Sequence, residues 1–227
     1  MEPFTTITGQ LLEQLLAPIA GPLGLTTSAA EVGGFISGAI TVYLCARGSV
    51  WNWPISIVNG LLWLVLFAGV GLYADAGLQV AYLVLSVYGW FHWLRGGPTG
   101  IDDLPVTRAS RMALGACVAA SIVGILGIYW LLDTQTSSTV PLADATTTTF
   151  SLVASWLLAR KHIENWPLWI VGVNIPYIAI YLYKGLALTA SLQLVFVALS
   201  VMGWYEWRRH LVEPRPATPS VSGALAS

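Results

Sequence analysis

Two sets of side chains in this sequence have the types and spacing to hold a flat, hydroxyl-bearing ring. Gln79, Tyr82, Ser86, Trp90 and Trp93 recur three and four residues apart, which puts them on one helical face. Gln193, Phe196, Ser200, Trp204 and Trp207 repeat the pattern further along the chain. Asn59 and Trp63 stand one turn apart on another apolar run, and Trp169, Asn174 and Tyr177 lie on its counterpart. Together they supply aromatic planes beside neutral amides and hydroxyls. Rings stack on such planes and ligand hydroxyls pair with amides. A cationic ring gains a further ~1–2 kcal/mol over a desolvated Trp face. Amides inside an apolar helix are costly unless paired, so Asn59, Gln79, Asn174 and Gln193 need a lining or packing role. Ser86 and Ser200 suit close helix packing equally well.

The chemistry is binding, not catalysis. No Walker A pattern, HExxH or serine–histidine constellation occurs. His92, His162 and His210 fall at or near predicted helix ends, with no partner at metal-ligand spacing. No cofactor is implied. The net charge of -1 gives no electrostatic case for nucleic acid.

The elements that must position these residues are membrane helices. Of 227 residues, 56% are hydrophobic and 9% charged, against about 25% charged in a soluble domain. The charges cluster between apolar runs long enough for helices that cross a bilayer. Seven such helices are predicted, over 28–46, 54–73, 78–94, 111–132, 142–159, 167–183 and 186–209. A tight turn is predicted over 74–77 and a polar linker over 95–110. Pro176 would kink its helix or hinge it. Residues 1–27 read as an interfacial segment, with Leu11, Leu12, Leu15 and Leu16 on one face, and 210–227 as a disordered tail.

One long stretch is used twice. Arg47–Trp93 and Arg160–Trp207 each open near an Asn-Trp-Pro (Asn52–Pro54, Asn165–Pro167) and each end in Gly-Trp followed by another Trp. The copies stand 113 residues apart at the start and 114 at the end, so the second has gained one residue. In mid-helix the 113-residue offset pairs Asn59 with Gly172, Trp63 with Pro176, and Asn174 with Leu61. The layout is a first three-helix repeat (28–94), a linker with connecting helix 4 (95–140) and a second repeat (141–209). The single connecting helix makes the repeats parallel. With the N-terminus outside, nine of the ten Lys and Arg residues face the inside and only Lys184 lies outside. Glu31 and Asp144 then share one outer position, where a carboxylate complements a helix N-terminus. Trp53, Trp93, Trp166 and Trp207 sit near helix ends, where an aromatic belt is expected. Cys45 and Cys117 are expected to be small packing residues.

The layout and the Asn-Trp-Pro starts resemble the PnuC vitamin transporters, as do Trp166-x-x-Trp169, the Tyr-Lys-Gly at Tyr183–Gly185 and the Gly-Trp endings. The resemblance covers about 28–209. It implies an all-α membrane protein with seven transmembrane helices in a 3+1+3, SWEET-like fold. It also implies facilitated uptake of nicotinamide riboside, feeding NAD biosynthesis, with trapping inside by a separate cytosolic kinase. Relatives carry thiamine, riboflavin or deoxynucleosides. The resemblance adds Trp166 to the candidate binding residues. The chain is expected to be multi-pass in the inner (plasma) membrane, N-terminus outside and C-terminus cytoplasmic, with a homo-oligomer left open. No Asp, Glu, Lys or Arg lies mid-span, so coupling to protons is not expected. A membrane enzyme would need a nucleophile or metal set that the histidines do not provide. A sensor that binds without translocating stays compatible with the sequence.

Overall fold

A computed structural model of the chain describes residues 18–20, 26–69, 73–96, 104–135, 139–183 and 187–211. The predicted face of Leu11, Leu12, Leu15 and Leu16 and the tail beyond Leu211 lie outside the described residues. Two short strands, β1 (Pro18–Ala20) and β2 (Thr26–Ser28), pair antiparallel within the segment expected to be an interfacial helix. Pro18 and Pro22 deny that stretch a continuous helical ladder.

Among the described residues seven helices follow: α1 (Ala29–Ala46), α2 (Asn52–Gly69), α3 (Tyr73–Arg95), α4 (Arg111–Gln135), α5 (Pro141–Ala159), α6 (Asn165–Tyr183) and α7 (Ala187–Arg209). α5 takes its proline in the first turn, where the missing N–H costs nothing. The turn expected over 74–77 is instead the first turn of α3, where Asp75 complements the helix dipole. By length and apolarity, α2, α4 and α6 are long enough to cross a membrane. α3, α5 and α7 are lowered in mean hydropathy by side chains such as Gln79, Thr146–Thr149 and Gln193.

The helices close into a ring. α1 packs on α2 and α7, α3 on α2 and α5, and α6 on α5 and α7. α4 packs against α5 outside this ring and buries none of its residues. The ring preserves the repeat, since the α3–α5 contact mirrors the α7–α1 contact.

The core lies at one end, and it corrects the reading of the four tryptophans as a belt. Trp53, Trp93, Trp166 and Trp207 are 0–3% exposed and form a plug with Cys45, Ala46, Ala159 and Ile163. Trp53 meets Trp93 edge-on at 5.3 Å, and Trp166 meets Trp207 edge-on at 5.3 Å. Trp93 and Trp207 join the two pairs at 5.9 Å. Each edge-on pair contributes about 0.5–1.5 kcal/mol beyond its buried area. The repeated motifs are the parts of this plug. A Cβ on Gly89 would lie 2.3 Å from Trp53, and one on Gly203 would lie 2.4 Å from Trp166. Only glycine leaves room for the indole of each Asn-Trp-Pro. The asparagines fasten the same turns, Asn52 donating to the Ser49 carbonyl and Asn165 to that of His162 (2.7 and 2.6 Å).

The linker is less polar in place than in sequence. Leu104 and Val106 are buried in the plug. Thr107 N–H donates to the Lys161 carbonyl, and Ile163 N–H to the Thr107 carbonyl. Glu164 accepts from Ala109 N–H at 2.9 Å. The basic residues gather at this end too, where Glu206 lies 3.9 Å from both Arg47 and Arg209.

Candidate functional site

α6 is not a uniform helix. It opens with one turn (Asn165–Pro167), widens to π-helix over Leu168–Asn174 and returns to α-helix at Ile175–Tyr183. Ile175 N–H reaches back five residues, to the Ile170 carbonyl. Pro176 cannot donate to the ladder, so the turn before it relaxes. A π turn holds one residue more than the α turn it replaces.

That turn is the residue gained by the second repeat. From Leu61 to Gly69 and from Ile175 to Tyr183, buried, half-buried and exposed positions coincide one for one, 114 residues apart. From Asn52 to Gly60 and from Asn165 to Val173 they coincide at 113, except at Pro54 and Pro167. Asn174 is the residue left over. The predicted mid-helix pairing is therefore corrected: Trp63 corresponds to Tyr177, not Pro176, and Asn174 has no partner in α2. The aromatic contacts agree, with Trp63 stacked on Phe67 at 5.4 Å and Tyr177 on Tyr181 at 5.5 Å.

Asn174 is buried, and its amide donates to Ser200 on α7 at 3.4 Å. Ser86, the equivalent of Ser200, is buried on α3. Both serines lie seven residues, or about 10 Å along the helix, from the plug tryptophans. Gln79 and Gln193 stand seven residues further out and are half-buried. Tyr82 hydrogen-bonds Ser151 on α5, and the Tyr177 hydroxyl interacts with Thr147 and Thr148. Asn59 donates to Ser37 Oγ (2.9 Å) and to the Gly34 carbonyl on α1. The Trp63 ring lies against Gly34, where a Cβ would fall 2.8 Å from Cε2. Gly34 thus seats the Trp63 indole, and Gly38, one turn on, lies beside Asn59 and Phe196.

The structure brings Asn174 to Ser200 directly and distributes Asn59, Trp63, Gln79, Tyr82, Ser86, Tyr177 and Gln193 over the ring helices, with Trp169 half-buried in the π turn. Trp166 lies in the plug, wedged on Gly203 and Trp207. The sequence reading missed Thr147 and Ser151, which are 1% and 3% exposed. The run of four threonines at Thr146–Thr149 was the available signal. At the end opposite the plug, Asp75 and Asp144 stand in the first turns of α3 and α5 and act electrostatically on Tyr177 and Tyr181. The arrangement offers stacked aromatic pairs and neutral amides and hydroxyls in mid-ring. Carboxylates stand at the end of the bundle opposite the tryptophan plug.

Comparison with known proteins gives concordant results. The family model described as nicotinamide mononucleotide transporter matches residues 28–209. The riboflavin/roseoflavin transporter RibM of Streptomyces davaonensis is 30% identical over 198 residues, covering 86% of this chain and 91% of that protein. The nicotinamide riboside transporter PnuC of Escherichia coli is 24% identical over 212 residues, covering 82% and 88%. A crystal structure of the vitamin B3 transporter PnuC shares the fold at a TM-score of 0.62, with 24% identity, covering 80% of this chain and 83% of that one.

Proposed function

The chain belongs to the nicotinamide mononucleotide transporter family, and on that premise we propose that it carries nicotinamide riboside across the inner membrane by facilitated diffusion. The observation that carries this reading is the pairing of neutral amides and aromatic stacks on the ring helices with two carboxylates, Asp75 and Asp144, at the end opposite the plug, which this reading takes as the mouth. Carboxylates favour entry of a cation, and a pyridinium is one. Aromatic faces then hold the ring, and the amides of Gln79, Asn174 and Gln193 are suited to the ribose hydroxyls, with Asn59 left its carbonyl oxygen because its N–H groups are spent on α1. All seven helices cross the membrane, with the N-terminus outside and the basic, plugged end in the cytoplasm. Flux runs down the gradient, and a separate kinase that phosphorylates the solute inside keeps the gradient inward.

The likeness to RibM favours a second reading, in which the solute is riboflavin. Its ring is neutral and larger, so the carboxylates at the mouth would then add nothing. Calorimetric titration of the purified protein with nicotinamide riboside and with riboflavin separates the two. The first reading expects the tighter binding for nicotinamide riboside, weakened in Asp144→Asn. Tighter binding of riboflavin, unaffected by Asp144→Asn, would replace the first reading with the second.

A further inference from the structure

Lys161 stands in a conformation that its residue type avoids. Both repeats end their first helix with a residue at positive φ: Gly48 at 68° after α1, and Lys161 at 56° after α5. The two turns bond alike. Gly48 N–H and Ser49 N–H reach the carbonyls of Cys45 and Leu44, and Lys161 N–H and His162 N–H reach those of Leu158 and Leu157. Glycine is the usual residue at such a helix end, because it has no Cβ to clash. A lysine there costs free energy, and such outliers cluster where a site requires them.

The side chain shows what the position achieves. Lys161 is 7% exposed, and its Nζ sits 4.5 Å above the centre of the Trp93 ring. Trp93 donates its indole N–H to the Leu158 carbonyl, as Trp207 donates to that of Cys45 (3.3 and 3.1 Å). Each central tryptophan is thus tied to the other repeat, and among the described residues Trp93 alone of the two also carries a cation on its face. The plug is not self-sufficient. Among the described residues, the indole N–H groups of Trp53 and Trp166 and the side-chain oxygens of Asn52 and Asn165 are buried without partners. Each is a cost that hydration on opening would return.

We propose that Lys161 is the clasp of a gate at the basic end of the ring. Its ammonium holds Trp93 down, Trp93 holds Trp207, and the plug parts when the lysine leaves the ring face. The clasp rests on the transport reading, since a gate has a purpose only if a solute passes. Lys161 is a positioning residue and touches no solute.

Cys45 reports on the plug, because it is 2% exposed within it. The experiment measures maleimide labelling of Cys45 in a Cys117→Ser background, for the parent and for Lys161→Gly, Lys161→Met and Lys161→Arg. Lys161→Gly installs the residue that the first repeat uses at this φ, so the turn keeps its shape. Melting curves are recorded in parallel. The expected result is labelling roughly 5- to 30-fold faster in the Gly and Met variants, with Arg close to the parent and a cooperative melting transition retained in all three. Parent-like labelling in both Gly and Met overturns the clasp. So does acceleration in Met alone, which would mark backbone strain, or acceleration matched by a lost melting transition, which would mark unfolding. Labelling reads the plug whether or not a solute moves. Failure of the clasp is therefore distinct from failure of transport, which only flux measurements on the parent can show.

Discussion

Substituting alanine for Gly89 or Gly203 tests the plug and the repeat together. The added Cβ would fall 2.3 Å from the Trp53 ring or 2.4 Å from the Trp166 ring. Carbon atoms rest at about 3.5–4.0 Å, so more than 1 Å of overlap must be relieved. The indoles have little room to yield. Trp53 and Trp166 are 3% and 1% exposed, and each meets a second tryptophan edge-on. Overpacking of this kind costs about 1–3 kcal/mol. The two alanines should lower the apparent melting temperature in detergent by similar amounts, because the notches are equivalent. The clashing atoms at Gly203 belong to the six-membered ring of the indole (Cη2, Cζ2 and Cε2), most of which phenylalanine lacks. Trp166→Phe should therefore recover part of the loss in Gly203→Ala, and a double-mutant cycle should show coupling above about 0.5 kcal/mol. Alanine variants that melt within a degree of the parent would refute the wedge geometry. An additive cycle would refute the assignment of the clash to Trp166.

Further outcomes are expected. Asn174→Ala, Gln79→Ala and Trp169→Ala should each weaken ligand binding roughly 5- to 150-fold in calorimetric titration, as expected for loss of one buried partner; parent-like affinity in all three would move the site elsewhere. Single cysteines at Arg108 and Thr139, in a cysteine-free background, should label from opposite sides of the membrane, Thr139 from outside. Dissipating the proton gradient should leave initial uptake into vesicles unchanged, since no Asp, Glu, Lys or Arg lies mid-helix in the sequence; accumulation above the outside concentration in kinase-free vesicles would contradict this. Burial lowers the pKa of His162, aided by Arg160 and His92 and opposed by Glu164. Folding then favours the neutral ring, so this contribution to stability is full above the ordinary value of 6.5 and is lost as pH falls from there through the lowered folded value. His162→Gln should flatten that part of the pH–melting profile.

The helices and their repeat were legible because apolar runs and paired motifs are local signals. α1, α2, α4, α5, α6 and α7 begin and end within a few residues of their predicted bounds. The start of α3 was missed because Ala74–Gly77 contains Asp and Gly, which suit a turn, while a dipole-stabilised first turn leaves no periodic trace. The four plug tryptophans were misplaced because a position near a helix end fits a belt and a core equally well. Only the glycines 36 or 37 residues downstream, brought across by the fold, decide between them. The added residue of the second repeat was visible as a change of spacing from 113 to 114, but the spacing does not say where the extra residue sits. Pro176 marked the place, and the π turn just before it leaves Asn174 inside the ring. The buried threonines of α5 were passed over because neighbouring hydroxyls carry no helical period.

Counterflow in proteoliposomes loaded with unlabelled nicotinamide riboside separates a transporter from a binder. A transporter should give a transient, saturable uptake of external labelled nicotinamide riboside, which disappears when the internal solute is omitted and is strongly reduced in Asn174→Ala. Saturable binding by the purified protein, with no counterflow in the same lipids, would show a binder and not a transporter.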